Sequence, residues 1–179
     1  MDKKILGKCP VCGADVVKTG KGYKCENNTG DSEGCKLYNH NTVGNRTMED
    51  NEISILLEEK EILLDGFASK DGKAFSTVMR IGPDGHVDLD SNVAKCPNCG
   101  GDIRVNSRAF GCSNYHHPER PCKFTSWRNI NGHKVTLAEI RQICSSGTTE
   151  NTVDFYGEDG TVYQKKLSLS SDKLSVVKI

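Results

Sequence analysis

The sequence contains one four-cysteine pattern twice, with identical spacing. Each copy reads C-x2-C-x12-C-x9-C, and each cysteine of the second copy lies 87 positions after its counterpart. Four thiolates suit the tetrahedral preference of Zn2+, and an all-cysteine set leaves no open position for a substrate. The pattern therefore predicts two structural zinc sites, each holding one Zn2+. The predicted ligands are Cys9, Cys12, Cys25 and Cys35 in the first copy and Cys96, Cys99, Cys112 and Cys122 in the second.

The repeat divides the 179 residues into two predicted units, residues 1–91 and 92–179. Units of roughly 80 residues have small cores and often need a covalent or metal staple. Only 35% of the residues are hydrophobic and 6% aromatic. We therefore expect the bound metal to supply much of the folding free energy.

Other chemistries can use the same cysteines. Eight cysteines could form disulfides in an oxidising compartment, but residues 1–8 carry no export signal, and no apolar run is long enough to span a membrane. A rubredoxin-like iron site usually has two close Cys-x-x-Cys pairs, whereas nine residues separate the last two cysteines here. A thiol oxidoreductase motif would start a helix. The sequence thus favours zinc in a reducing, cytoplasmic protein.

The rest of each unit follows a common predicted order. A Cys-Pro-x-Cys-Gly knuckle precedes a strand, a turn and a return strand that delivers the third cysteine, and a further strand follows the fourth. This order is typical of a zinc ribbon. A short helix comes next, with a capping box at Thr136 and Glu139 and a glycine end at Gly147 in the second unit, and with Asp50 or Thr47 as the cap in the first. Each unit then ends with two turns, at Asp71-Gly72 and Pro83-Asp84-Gly85 in the first and at Asp159-Gly160 and Ser170-Ser171-Asp172 in the second. Two turns predict a three-stranded antiparallel meander. The predicted class is α+β.

Charge differs between segments although the net charge is zero. Residues 94–144 contain eight basic and three acidic residues, whereas residues 51–93 contain four basic and nine acidic ones. The basic segment also carries four aromatic side chains around the second cysteine set. Aromatic rings stack on unpaired bases while cations follow the phosphates, so this combination predicts a surface for single-stranded nucleic acid. The candidate residues are Arg104, Arg108, Phe110, Tyr115, Arg120, Lys123, Phe124, Trp127 and Arg128.

One or two of these aromatics are expected to pack in the ribbon core, and Trp127 and Tyr115 are the expected exposed rings. The ninth cysteine, Cys144, aligns with Leu57 and is interpreted as a small core residue. His116 and His117 lie in the loop before Cys122, where no ligand position is vacant, and are interpreted as surface groups. No acid pair, phosphate loop or nucleophile–base arrangement indicates an enzyme.

Several segments together resemble a known family. They are Gly7-Lys8-Cys9-Pro10-Val11-Cys12-Gly13, Gly34-Cys35-Lys36, Glu52-Ile53-Ser54-Ile55-Leu56-Leu57 and Leu64-Asp65-Gly66-Phe67 in the first unit, with Lys95-Cys96-Pro97-Asn98-Cys99 and Cys122-Lys123-Phe124-Thr125-Ser126-Trp127 in the second. This combination resembles the C-terminal zinc-binding repeats of bacterial type IA DNA topoisomerases, particularly topoisomerase III-like enzymes, in two tandem copies.

The resemblance implies an accessory module that engages single-stranded DNA beside a catalytic core. The acidic toprim cluster and the tyrosine-bearing breakage domains of the family have no counterpart in this sequence, so we expect no DNA cleavage by this chain alone. The resemblance fits either a piece of such an enzyme or a free-standing relative. Overall neutrality and the acidic segment at residues 51–93 leave a protein-interaction adaptor as the alternative. The sequence does not determine the oligomeric state.

Overall fold

The structure is a computed structural model that describes residues 3–31 and 33–179. The chain divides into two compact units, Met1–Asp90 (unit 1) and Ser91–Ile179 (unit 2). Each unit combines small antiparallel sheets with one ten-residue helix among its described residues, which is an α+β arrangement. Neither of these helices has the length needed to cross a bilayer.

Unit 1 begins with a four-stranded antiparallel sheet of sequential order, followed by a two-stranded hairpin, a helix and a three-stranded sheet. Its elements are β1 (Ile5–Lys8), β2 (Asp15–Lys18), β3 (Gly22–Cys25), β4 (Tyr38–His40), β5 (Thr42–Val43), β6 (Arg46–Thr47), α1 (Asp50–Glu59), β7 (Glu61–Ala68), β8 (Ala74–Ile81) and β9 (Val87–Asp90).

Unit 2 repeats this order up to its helix. Its elements are β10 (Asn92–Lys95), β11 (Asp102–Val105), β12 (Ala109–Cys112), β13 (Thr125–Trp127), β14 (Asn129–Ile130), β15 (His133–Lys134), α2 (Leu137–Ser146), β16 (Val153–Tyr156), β17 (Val162–Lys165), β18 (Leu167–Leu169) and β19 (Val176–Lys178). The four-stranded sheet β10-β11-β12-β13 corresponds strand for strand to β1-β2-β3-β4.

One continuous hydrophobic core joins the elements of unit 1. The first sheet contributes Val16 and Tyr23, the helix contributes Ile53 and Leu56, and the last sheet contributes Phe67, all of them completely buried. Unit 2 buries the corresponding side chains from its own elements. They are Ile103, Phe110, Ile140, Ile143 and Phe155. The helix therefore packs between the cysteine-bearing sheet and the hairpins that follow it.

The start of α1 differs from the sequence prediction. Glu49, not Asp50 or Thr47, occupies the N-cap position, and its N–H donates to the Glu52 carboxylate at 2.9 Å. Asp50 is instead held by Lys4, just before β1, at 2.6 Å and by Lys18, at the end of β2, at 2.5 Å. The capping box predicted for α2 at Thr136 and Glu139 is present.

The predicted three-stranded meander forms in unit 1 but is divided in unit 2. Strands β7, β8 and β9 make one sheet, whereas β16-β17 and β18-β19 are separate two-stranded sheets. Lys166 interrupts the strand that corresponds to β8. Its backbone exchanges two hydrogen bonds with Ile179, and the next N–H, of Leu167, donates to the Thr149 hydroxyl at 3.1 Å. The Thr149 hydroxyl thus stands where a backbone carbonyl would accept this hydrogen bond in a continuous sheet. The division between β16-β17 and β18-β19 lies at this point.

Both helices end on a left-handed residue, but the residue type differs. Gly147 ends α2 with φ +85°, and Lys60 ends α1 with φ +64°. A side chain in this conformation is strained because its Cβ approaches the following carbonyl oxygen, whereas glycine has no Cβ.

We expect Lys60→Gly to raise the free energy of unfolding of unit 1 by about 0.5–1 kcal/mol. The reciprocal change, Gly147→Lys, should lower that of unit 2 by a similar amount. Urea unfolding followed by circular dichroism measures both. A loss of stability in Lys60→Gly would show that the lysine side chain contributes more than its conformation costs.

Candidate metal centres and an open basic face

The four cysteines of each set come from the same elements in both units. Two follow the first strand of the sheet, the third ends the third strand, and the fourth lies in the loop before the fourth strand. The four sulfur atoms of each set all lie within 4.8 Å of one another. Each set could therefore hold a metal ion.

Tight turns bring the first two cysteines of each set together. The Gly13 N–H donates to the Cys9 carbonyl at 2.9 Å, and the Gly100 N–H donates to the Cys96 carbonyl at 2.9 Å. Gly13 has φ +77° and Gly100 has φ +74°. Glycine is favoured in this left-handed conformation, so these two positions have a backbone reason for being glycine.

The protonation of the thiols follows their surroundings. A hydrogen bond from the Ala14 N–H lowers the pKa of Cys12 to about 7. For Cys99 burial acts to raise the pKa, but the Gly101 N–H and neighbouring groups lower it to about 7. In four other thiols burial raises the pKa above the usual value of a cysteine. They are Cys25, Cys35, Cys96 and Cys112. Thiolate ligands must be deprotonated, so metal binding releases protons and acid weakens it.

The two sets differ in the hydrogen bonds that reach their sulfurs. Asn27 and its counterpart Asn114 each place an amide nitrogen near a sulfur, at 3.6 Å from Cys12 and 3.5 Å from Cys99. Unit 2 adds Asn98, whose amide donates to the Cys122 sulfur at 3.3 Å. The position of Asn98 is occupied in unit 1 by Val11, which has no side-chain donor.

The sets also differ in accessibility. Cys122 is 2% exposed, whereas its counterpart Cys35 is only partly buried. A cavity of about 660 Å³ in unit 1 is lined by Val11, Cys12 and Cys35 among other residues. The first set is therefore the more exposed of the two at its fourth cysteine.

Cys144 stands apart from both sets. It is half-buried on α2, and burial, reinforced by the nearby Cys96, raises its pKa to about 12. A thiol of this kind is protonated at neutral pH, and a protonated thiol is a poor nucleophile. This agrees with its interpretation as a packing residue.

Four of the nine candidate nucleic-acid residues meet at one groove on the open face of the unit 2 sheet. Arg104, Arg108, Tyr115 and Trp127 line a cavity of about 460 Å³. Trp127 is 61% exposed and Tyr115 is 38% exposed. We call this feature the open groove. Its other lining residues are Val105, Asn106, Ala109, Gly111, Cys112, His116 and Thr125.

Three further candidates lie outside the lining of the groove. Lys123 places its ammonium 4.0 Å from the centre of the Tyr115 ring and donates to the Tyr115 carbonyl at 2.8 Å. Arg128 donates to the Asn106 carbonyl at 3.1 Å, next to the groove. Arg120 lies in the exposed loop before Cys122, where its backbone N–H donates to His117.

The prediction that Phe110 and Phe124 contact nucleic acid is wrong. Both are completely buried, so neither ring can stack on a base. Successive side chains of a strand point to opposite faces of the sheet, and in β12 Phe110 faces the core while Gly111 faces the groove. The core of unit 2 needs these rings, as unit 1 needs Tyr23 at the position of Phe110.

No protein-family model, curated protein or solved structure matches this chain.

Sequence reasoning missed several groove residues. Asn106, His116 and Thr125 offer polar groups, and Ala109 and Gly111 form its small-residue part. The one available signal was Gly111 itself, because a glycine inside a strand often marks a close approach by another group.

Proposed function

We propose that this chain is a pair of structural zinc ribbons that binds single-stranded DNA through the open groove of unit 2. The proposal extends to an accessory role beside the catalytic core of a type IA topoisomerase, on the sequence resemblance alone. On this proposal the chain binds DNA without cleaving it.

The sulfur separations fit a tetrahedral metal ion such as Zn2+. Four sulfurs at about 2.3 Å from one Zn2+ in tetrahedral geometry lie about 3.8 Å from each other. The closest pairs here are 3.4 Å and 3.6 Å apart in both sets. A disulfide would need about 2.05 Å, and all nine cysteines are free. The donor set, four thiolates with no carboxylate or imidazole, favours a soft or borderline metal.

The open groove carries the functional proposal. Its exposed Trp127 and Tyr115 rings offer stacking surfaces, and Arg104 and Arg108 offer cations, while none of the described residues that line it is acidic. Single-stranded nucleic acid is held by this pairing of flat rings and positive charges. The corresponding face of unit 1 carries Val17, Lys24 and His40 at the positions of Arg104, Gly111 and Trp127.

We expect the full-length protein to bind a labelled single-stranded oligonucleotide, with an affinity that falls linearly on logarithmic axes as salt rises. Trp127→Ala should weaken binding by about 5- to 100-fold, because stacking on one base is worth about 1–3 kcal/mol. Fluorescence anisotropy at several salt concentrations measures both effects.

The matched control is Tyr38→Ala, which removes a 38% exposed ring from the equivalent face of unit 1 and should change little. If Tyr38→Ala weakens binding as much as Trp127→Ala, the assignment of binding to unit 2 is wrong. Tight binding to a basic protein without any oligonucleotide affinity would select the adaptor alternative.

A further inference from the structure

Gly111 is a glycine with no structural need to be one. It lies inside β12, the strand between β11 and β13, and does not have the left-handed backbone conformation that favours glycine. A Cβ built on it meets no other heavy atom within 4 Å. By contrast, a Cβ at Gly22 would lie 2.0 Å from the Asn39 carbonyl oxygen, so that glycine is required by packing.

Glycine weakens a strand because it has no side chain to pack and gains more conformational freedom on unfolding. Its use in a central strand is therefore unfavourable for the fold and needs another reason. The free space above Gly111 belongs to the open groove, so a side chain here would project into the groove and fill it.

The neighbours of Gly111 define what that space can hold. Arg104 lies opposite it on β11 and Thr125 opposite it on β13, and Trp127 lies two positions further along β13. The space is thus bordered by a cation, a hydroxyl and an exposed indole. A flat group that carries hydrogen-bonding atoms and is attached to a negative charge fits these borders, and an unpaired nucleobase with its phosphate is such a group.

The internal repeat offers a comparison. At the positions of Arg104, Gly111 and Thr125, unit 1 has Val17, Lys24 and Tyr38, paired in the same register. Val17 is 4% exposed, whereas Arg104 is exposed, so the equivalent face of unit 1 is covered at this point. The two units share the same strand pairing and differ in whether this position carries a side chain, since unit 2 has Gly111 and unit 1 has Lys24.

We infer that Gly111 is the floor of a pocket for one unpaired nucleobase, and that the missing side chain at this position sets the preference of the groove for a base. This inference rests on the proposed function and deepens it. The phosphate contacts of the arginines would hold any polyanion, whereas the space above Gly111 is specific for a flat group beside Trp127.

The test is a graded pair of substitutions, Gly111→Ala and Gly111→Val, in the full-length protein. We expect Gly111→Val to weaken binding of oligothymidine by about tenfold or more, the range of one lost stacking contact, and Gly111→Ala to have a smaller effect. The melting temperature should stay the same or rise, since the added side chain fills open space in a strand. Lys24→Val, at the equivalent position of unit 1, is the control and should retain nearly full affinity.

A second probe separates the base from the phosphates. A same-length oligomer of abasic nucleotides carries the charges without the rings, so wild type and Gly111→Val should bind it equally. If Gly111→Val is folded and binds oligothymidine as tightly as wild type while Trp127→Ala does not, the floor inference is wrong and the proposed function stands. If wild type binds neither oligomer, the proposed function itself fails.

Discussion

Replacing Cys112 with serine should remove one of two bound metal ions and unfold unit 2, with unit 1 left folded. Cys112 ends β12 and supplies one of the four sulfurs of its set. Structural zinc contributes apparent binding free energies of roughly 10–16 kcal/mol at neutral pH, which exceeds the stability expected for a unit of this size. Each unit has its own buried core, so we expect the loss to remain within the unit that is changed.

The measurements are the metal content by mass spectrometry under native conditions and the amide spectrum by nuclear magnetic resonance. Cys144→Ser is the matched control, because it changes a half-buried cysteine of the same unit that belongs to neither set. It should keep both metal ions and nearly all of its stability. Retention of two ions and an unchanged melting transition in Cys112→Ser would contradict a structural role for the metal.

A chelator should remove metal from the first cysteine set at least ten times faster than from the second. Two observations give this order. Cys35 is more exposed than Cys122, and it lies beside the 660 Å³ cavity of unit 1. The Asn98 amide donates to the Cys122 sulfur, and hydrogen bonds to ligands typically change metal affinity by about 10- to 100-fold when removed.

Metal release can be followed with a metal-sensitive dye under reducing conditions, and two phases of equal amplitude are expected. The chain offers a reciprocal pair of variants for assigning them. Asn98→Val should accelerate only the slow phase, and Val11→Asn should slow only the fast one. A single phase that neither substitution alters would show that the two sets are equivalent despite their different surroundings.

The sequence predicted the features that depend on neighbours in the chain. The spacing of the cysteines placed all eight sulfurs in two sets, and the capping box at Thr136 and the glycine at Gly147 bound α2 as expected. These signals are local, because a turn or a helix end is specified by a few consecutive residues.

Features that depend on distant partners were not predictable in this way. Asp50 does not cap α1, and its carboxylate is bound by Lys4, just before β1, and by Lys18, at the end of β2. The sequence analysis did not predict strand β1. Only Leu6 of its four residues is buried, so the strand shows no alternation of hydrophobic and polar residues. The break in the last sheet of unit 2 lies where the Leu167 N–H donates to the hydroxyl of Thr149, 18 residues earlier in the chain.

The candidate nucleic-acid surface was predicted in part for the same reason. The two rings expected to be exposed, Trp127 and Tyr115, are exposed, but the candidate set also included the buried Phe110 and Phe124. An aromatic residue in a short strand can face either side of the sheet. Burial of Phe110 and exposure of Trp127 follow from which face of the sheet carries the core. The groove between the exposed residues became visible only with the three strands in register.

Strand β12 of unit 2 has Gly111 where the equivalent strand of unit 1, β3, has Lys24. This difference has a consequence for the number of binding sites. Two copies of a binding module usually gain avidity, since the second contact forms at a high effective concentration. Among the described residues only unit 2 has the groove, so on the proposed function the duplicated chain is a monovalent ligand-binding protein. Unit 1 is then free to diverge toward a separate partner without weakening the interaction that unit 2 makes.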